Sequence, residues 1–257
     1  MTGSFRACSL IPCSRSPAGE QALSAPPSIP DPHEFWQELH PPGTFEAAPS
    51  SGHRGAYPAS LPDGRQILLP IRVLPGDGSR AVASLIVNQA SFAVEDALAD
   101  AVADLARPLA PEVVVGVPTL GLPLANGVAR RLGHARMVAL GTSRKFWYDE
   151  KLSQPLRSIT SPGAGKTLYL DPRMLPLIEG RRVLLIDDVL STGASIGSAL
   201  RLLEAAGCRP VAVGAAMLQG ELWRDVLESV APGLRVVAAL RSPRLARRTD
   251  GRYEPAA

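Results

Sequence analysis

VLLIDDVLSTGAS, residues 183–195, is the stretch of sequence that decides the fold. It predicts an apolar strand over 182–186, then the adjacent carboxylates Asp187 and Asp188 at the carboxyl end of that strand, and a helix over 194–206. The first amides of a helix lack partners within the helix, and the helix dipole places partial positive charge there. The segment therefore joins an acidic strand end to a helix start that is typical of phosphate binding.

A ribose phosphate would use both halves of this segment. Two ribose hydroxyls can donate hydrogen bonds to Asp187 and Asp188 while the phosphate occupies the loop before the helix, and a divalent ion can contribute beside the carboxylates. Glycine in that loop lets the backbone approach the phosphate closely. The alternative is an ordinary acidic turn before a capped helix. The predicted phosphate-binding residues are Ser191, Thr192, Gly193, Ala194 and Ser195.

This segment resembles the ribose-phosphate signature of the type I phosphoribosyltransferases. The resemblance implies that Asp187 and Asp188 hold the ribose hydroxyls of 5-phosphoribosyl-1-pyrophosphate and that residues 191–195 bind its 5-phosphate. A second segment, VGVPTLGLPLA over 115–125, resembles the pyrophosphate loop of the family, above all the version in orotate enzymes. The pyrophosphate-binding residues implied by it are Pro118, Thr119, Leu120 and Gly121.

One position departs from the orotate version, which has a lysine where this chain has Leu120. The positive charge that neutralises pyrophosphate must then come from other residues, and an orotate substrate becomes doubtful. Arg144 and Lys145 resemble an Arg-Lys pair that lies near pyrophosphate in the adenine and xanthine members. The resemblance implies that this pair acts in catalysis together with Asp187 and Asp188. An exposed basic pair on a loop is the alternative.

The rest of the chain predicts an α/β fold, with a mainly parallel sheet flanked by helices, because strands alternate with helices from Glu112 onward. Strand-like runs at 55–61 and 65–74 flank the turn Pro62-Asp63-Gly64 and predict a β-hairpin in a small N-terminal hood. We predict three regions, namely a disordered or surface-lying extension over 1–50, a phosphoribosyltransferase-like domain with its hood over 51–240, and a basic tail over 241–257.

The segment over 146–166 is polar and matches the position of the mobile catalytic loop of the family. Within it, residues 163–167 read GAGKT and look like a nucleotide-binding P-loop. We reject that interpretation, because the pattern requires a glycine where this chain has Thr160, and because no buried strand precedes it.

Composition narrows the function classes. Of 257 residues 46% are hydrophobic, which supports a buried core, and the net charge of +3 is small. Only 5% are aromatic, which argues against a base-stacking RNA-binding sheet. The three cysteines and four histidines lack the spacing of a disulfide framework or a zinc site. No apolar run reaches the roughly 20 residues of a membrane span. We therefore expect a cytoplasmic protein that does not enter a membrane.

The resemblance implies a glycosyltransferase that moves ribose 5-phosphate from the sugar diphosphate to a nitrogenous base and releases pyrophosphate. The Arg-Lys pair favours a purine, adenine first, as in purine salvage. Magnesium is expected to enter with the sugar diphosphate, near Asp187 and Asp188, with no direct protein ligand assigned. We expect a homodimer with no nucleic-acid partner. The alternative is a non-catalytic regulator that senses the sugar diphosphate and binds nucleic acid or a protein, and a second is an interaction scaffold with a degenerate site.

Overall fold

A computed structural model of the protein describes residues 29–156 and 166–256. It contains two five-stranded sheets and a short two-stranded ribbon. In chain order the elements are β1 (Ala56–Ser60), β2 (Gln66–Val73), β3 (Arg80–Ala83), α1 (Phe92–Ala106), β4 (Val113–Gly116), α2 (Gly121–Arg131), β5 (Val138–Ala139), β6 (Ser153–Leu156), β7 (Lys166–Tyr169), α3 (Leu175–Ile178), β8 (Val183–Leu190), α4 (Ala194–Ala205), β9 (Ala212–Gln219), α5 (Trp223–Val230), β10 (Arg235–Ser242), β11 (Arg244–Arg247) and β12 (Tyr253–Pro255).

The lower sheet is parallel and has the strand order β10-β9-β8-β4-β5. Its central strands are continuous apolar runs, and Val183, Leu184, Leu185 and Ile186 of β8 have no exposed surface. Such runs are expected where helices cover both faces of a sheet. The predicted α/β architecture is confirmed.

Helix α1 packs against α2 beside this sheet, and its first turn begins where the sequence places a cap. Ser91 Oγ accepts a hydrogen bond from the Val94 amide at 3.3 Å. The sequence pattern predicts Leu105 on the buried face of α1, but this residue is 40% exposed, and Ala106 is buried instead.

The upper sheet is antiparallel and has the order β1-β2-β3-β11-β12. The predicted hairpin forms at its edge, where the Asp63 carboxylate accepts from the Arg65 amide at 3.0 Å and closes the turn. Residues 244–247 and 253–255 were predicted to lie in a basic tail, but they are strands β11 and β12 of this sheet. Arginines flank Leu245 in the sequence, so the strand pattern of this segment is not recognisable there. In the structure Leu245 is 1% exposed and points into the core.

The N-terminal segment also differs from the prediction of a disordered or surface-lying extension. Phe35 and Trp36 are each 5% exposed, and Trp36 Nε1 donates to the Ser84 carbonyl at 3.0 Å. The sequence allows a short helix around 34–39, but residues 32–36 form turns and 37–39 are not helical. Residues 1–28 of the predicted extension lie outside the described residues.

The segment that was predicted to be a mobile loop is described only in part, since 157–165 lie outside the described residues. On either side of that gap, β6 and β7 pair as an antiparallel ribbon, from Ser153 opposite Tyr169 to Leu156 opposite Lys166. No helix within the two described ranges is long and apolar enough to cross a membrane.

Candidate active site

Asp187 and Asp188 lie near the carboxyl end of β8, which extends to Leu190, four residues beyond the predicted strand over 182–186. The strand continues to Leu190 because β9 still pairs with it there, whereas the pairing with β4 ends at Ile186. The two aspartates therefore lie beside the loop that follows β4. Asp187 is 5% exposed, and its Oδ1 accepts a hydrogen bond from the Asp188 amide at 3.0 Å.

The loop over 118–121, between β4 and α2, packs directly against this acidic pair. A Cβ atom at Gly121 would lie 2.9 Å from Asp187 Cα and 3.1 Å from Asp187 Oδ1, which is too close for any side chain. The peptide bond between Pro118 and Thr119 is cis. The structure thus brings together two segments that are more than sixty residues apart in the sequence.

The loop before α4 has the form of a phosphate cradle. Gly193, with a φ of 80°, is the N-cap of α4 and has no side chain of its own to cap the helix, while the Ala194 amide donates to Thr192 Oγ1 at 3.4 Å. A Cβ atom there would lie 2.9 Å from Val226 Cβ and 3.1 Å from Trp223 Cα, so α5 supports the loop from outside. Thr192 and Ser195 are half-buried beside these amides.

Ser191 has a partner that the sequence reading missed. Its hydroxyl donates to Gln219 Oε1 at 2.8 Å, and Gln219 Nε2 donates to the Ala83 carbonyl at 2.7 Å. Gln219 is the polar last residue of an otherwise apolar strand, β9. A polar residue directly after an apolar run also drew attention to Asp187, so a comparable signal for Gln219 was present in the sequence.

Burial and mutual repulsion act on the charge of the aspartate pair. Burial raises the pKa of Asp187 well above its ordinary value, and the charge of Asp188 raises it further. Burial also raises the pKa of Asp188. The pair therefore resists carrying two negative charges until a hydrogen-bond donor or a cation faces it.

Arg144 and Lys145 lie on an exposed loop after β5. Arg144 Nη1 forms an ion pair with Glu150 Oε1 at 2.7 Å, and about half of the Arg144 side chain is exposed. No described contact joins either basic residue to Asp187 or to the loop over 118–121. Their part in pyrophosphate binding stays a prediction.

A cluster formed by Trp147, Asp171 and Arg173 lies next to this basic pair and holds the start of the loop after β5. Asp171, 9% exposed, accepts hydrogen bonds from Trp147 Nε1 at 3.3 Å and from the Arg173 guanidinium, and that guanidinium lies 4.6 Å from the centre of the Trp147 ring. The hydrogen bonds from Arg173 lower the pKa of Asp171 to about 2. The sequence reading did not identify this cluster, since its members are separated along the chain.

A cavity of about 650 Å³ opens at the carboxyl ends of β9 and β10, below the upper sheet. Its lining includes Tyr57 of β1, the basic residues Arg241 and Arg244, and Glu221. Ser242 also lines it, and the buried Oγ of Ser242 has no hydrogen-bond partner among the described residues.

The residues suit a magnesium ion that is held mostly by a ligand. Within residues 29–156 and 166–256, no group of three or more His, Cys, Asp or Glu side chains surrounds a common point. Magnesium typically keeps several waters and binds one or two carboxylates together with substrate phosphates. Asp187 and Asp188 would supply those carboxylates.

Comparison with known proteins gives evidence on the family that is independent of the site geometry. The family described as phosphoribosyl transferase domain matches residues 86–235. The adenine phosphoribosyltransferase of Frankia casuarinae is 33% identical over 166 residues, which are 65% of this chain and 81% of that protein. The transcriptional regulator GfcR of Archaeoglobus fulgidus is 32% identical over 130 residues, 51% of this chain and 57% of the regulator.

A solved structure of APRTase from Giardia lamblia, complexed with 9-deazaadenine, has a TM-score of 0.53 and 25% sequence identity. The alignment covers 67% of this chain and 93% of that one. Three further adenine phosphoribosyltransferases are matched over only 55%, 59% and 61% of their own length.

Proposed function

Because the chain belongs to the phosphoribosyl transferase domain family and has the type I phosphoribosyltransferase fold, we propose that it transfers ribose 5-phosphate from 5-phosphoribosyl-1-pyrophosphate to a nitrogenous base. The observation that carries this proposal is the packing of Gly121 against Asp187. The loop over 118–121, which would bind pyrophosphate, lies next to the carboxylates that would hold the ribose, and the loop over 191–195, which would bind the 5-phosphate, follows the same strand.

The reaction needs no enzyme nucleophile. The bond from the anomeric carbon to pyrophosphate breaks while a base nitrogen approaches from the opposite face, and the transition state has oxocarbenium character. The protein would contribute by holding the reactants in line and by stabilising the departing negative charge with the amides of residues 119–121. Magnesium, when bound with the substrate, would neutralise part of the pyrophosphate charge.

The order of the strands indicates where the base would bind. The sugar would lie over β8 and pyrophosphate on the β4 side, so an in-line nucleophile must approach from the side of β9 and β10. The cavity of about 650 Å³ lies at the ends of those strands. Arg241 and Arg244 offer donors and Glu221 and Asp225 offer acceptors, which suits a purine with ring nitrogens and an amino group. We propose adenine as the first base to test.

A regulator that only senses the sugar diphosphate is the second candidate, and the similarity to GfcR supports it. It would use the same site without turnover. The basic residues near the C-terminus give the regulator little support as a nucleic-acid contact, since Arg248 pairs with Glu254 at 2.9 Å and Arg244 and Arg247 belong to β11. DNA or RNA binding that responds to the sugar diphosphate, without turnover of any base, would decide for the regulator.

A panel of purine and pyrimidine bases tests the proposal, with pyrophosphate release followed in the presence of the sugar diphosphate and magnesium. We expect release with adenine and no release from the double variant Asp187→Asn, Asp188→Asn. Full activity of the double variant would mean that the site is assigned wrongly. We further propose a cytoplasmic homodimer, as the resemblance implies, and light scattering that finds a monomer would contradict that.

A further inference from the structure

Gln219 connects the phosphate loop to the upper sheet through two short hydrogen bonds. On one side its Oε1 accepts from the Ser191 hydroxyl at 2.8 Å, and on the other its Nε2 donates to the Ala83 carbonyl at 2.7 Å. Ala83 is the last residue of β3. A single half-buried side chain thus bridges the lower sheet, the loop and the upper sheet.

The Ala83 carbonyl fixes which way the Gln219 amide points. A carbonyl oxygen can only accept, so the NH₂ group of Gln219 must face Ala83 and the amide oxygen must face Ser191. The Ser191 hydroxyl has one hydrogen, which it must then donate to Gln219. It cannot donate that hydrogen to a phosphate at the same time.

The β3 end of this connection is itself anchored. The next carbonyl along the chain, that of Ser84, accepts from Trp36 Nε1 at 3.0 Å. Two consecutive carbonyls are therefore held by side chains from two distant parts of the chain. Gln219 is consequently attached to a fixed point and can hold the loop in place.

We propose that Gln219 is a positioning residue and that Ser191 acts as its tether, leaving the phosphate to Thr192, Ser195 and the first amides of α4. This inference rests on the proposed function, since it concerns the same phosphate site. It changes the role of Ser191 from a phosphate donor to a residue that aligns the loop. It also links the upper sheet, which lies over the cavity for the base, to the position of the sugar phosphate.

A double-mutant cycle tests the tether. Affinity for ribose 5-phosphate with magnesium is measured by calorimetry in the wild type, in Gln219→Leu, in Ser191→Ala and in the double variant. We expect each single change to weaken binding about fivefold, as for one neutral hydrogen bond, and the double variant to be no weaker than either. Ser191→Thr keeps a hydroxyl and should restore most of the affinity.

Thr192→Ala is the matched control, because its hydroxyl is assigned to the phosphate. Its effect should multiply with that of Gln219→Leu. In turnover with an accepted base, Gln219→Leu should raise KM for the sugar diphosphate and leave kcat within about twofold, whereas a general loss of folded protein would lower the apparent kcat.

Independent, multiplying effects of Ser191→Ala and Gln219→Leu would overturn the tether, because Ser191 would then contact the phosphate itself. If Gln219→Leu does not fold, Ser191→Ala and Ser191→Thr are each combined with Thr192→Ala and their affinities are compared, which still separates the two roles. A loss of affinity in Ser191→Ala that is larger than the loss in Thr192→Ala would refute the tether. Absence of any binding by the wild type would refute the proposed function, and the tether with it.

Discussion

At the scale of single residues, the aspartate pair shows how burial prepares a site for a ligand. Asp187 is almost fully buried next to a second carboxyl group, and both effects raise its pKa. A folded-state pKa above the unfolded value means that the folded protein holds its proton more tightly. Stability therefore falls as the pH rises from about 4, the ordinary value, through the raised pKa. The carboxylate anion is the stronger acceptor for ribose hydroxyls, so binding of a ribose would favour the form that folding disfavours.

We predict that Asp187→Asn binds ribose 5-phosphate about 10- to 100-fold more weakly at pH 7, because hydrogen bonds to a charged acceptor are lost. The same variant should be more stable than the wild type at pH 7, by a margin that shrinks towards pH 4. Calorimetric binding and thermal unfolding between pH 4 and 8 measure both effects. The wild-type affinity should rise with pH more steeply than that of the variant, which removes the phosphate's own titration from the comparison. Equal slopes would show that Asp187 does not titrate at the site.

Gly121 offers a second prediction, since it is the contact between the two halves of the site. Gly121→Ala would force its Cβ to within 2.9 Å of a backbone atom of Asp187, so the loop must move. We expect destabilisation of about 1–3 kcal/mol and at least tenfold weaker binding of pyrophosphate. Gly141→Ala is the control, because a Cβ there meets nothing within 4 Å, and it should unfold like the wild type. Unchanged pyrophosphate affinity in Gly121→Ala would contradict the site geometry.

At the scale of elements, the described part of the loop after β5 is held by one anchor. Asp171 fixes both Trp147 and Arg173, and the carboxylate is protected from protonation by Arg173. Its pKa is lowered, so the stabilisation is complete above about pH 4 and is lost as the pH falls through about 2. The loop is thus expected to stay anchored over the physiological range.

We predict that Asp171→Asn loosens this loop and lowers stability at pH 7 by about 1 kcal/mol, because the partner Arg173 is largely exposed and screened by water. Trp147 fluorescence should shift to longer wavelength in the variant. Acid titration of the wild type below pH 4 should produce the same shift, and Asp171→Asn should lack it. Arg144→Ala, whose partner Glu150 is exposed, should leave the fluorescence unchanged.

At the scale of the whole molecule, the upper sheet is assembled from both ends of the described chain. Strands β1 to β3 come from the N-terminal side. Strands β11 and β12 come from the C-terminal side, where β11 pairs with β3 and β12 pairs with β11. The C-terminal segment is therefore part of the folded unit. Leu245, 1% exposed, belongs to the same core cluster as Trp36.

We predict that Leu245→Ala lowers the free energy of unfolding by about 2–4 kcal/mol, as for a buried leucine elsewhere. Arg247→Ala, an exposed neighbour on the same strand, should change it by less than about 0.5 kcal/mol. Urea unfolding followed by circular dichroism gives both values. Equal stability of Leu245→Ala and the wild type would support the basic tail over 241–257 that the sequence predicted.

Local patterns predicted most of the lower sheet, because its strands are short apolar runs and because a recognisable helix follows β4, β8 and β9. They failed at the two ends of the chain. Phe35 and Trp36 form an isolated apolar pair between polar residues, and Leu245 lies among arginines, so no period marks them as buried. Whether such a residue enters a core depends on which surface the rest of the fold offers to it.

The sequence by itself determined the acidic strand end, the loop with Gly193 before α4 and the glycine-containing loop after β4, because each of these is built from neighbours along the chain. Only the tertiary structure decided that Gly121 contacts Asp187, that Gln219 accepts the hydrogen bond of the Ser191 hydroxyl, and that Arg144 pairs with Glu150. These contacts join residues whose distance in space is set by strand order and loop packing, which no local pattern encodes.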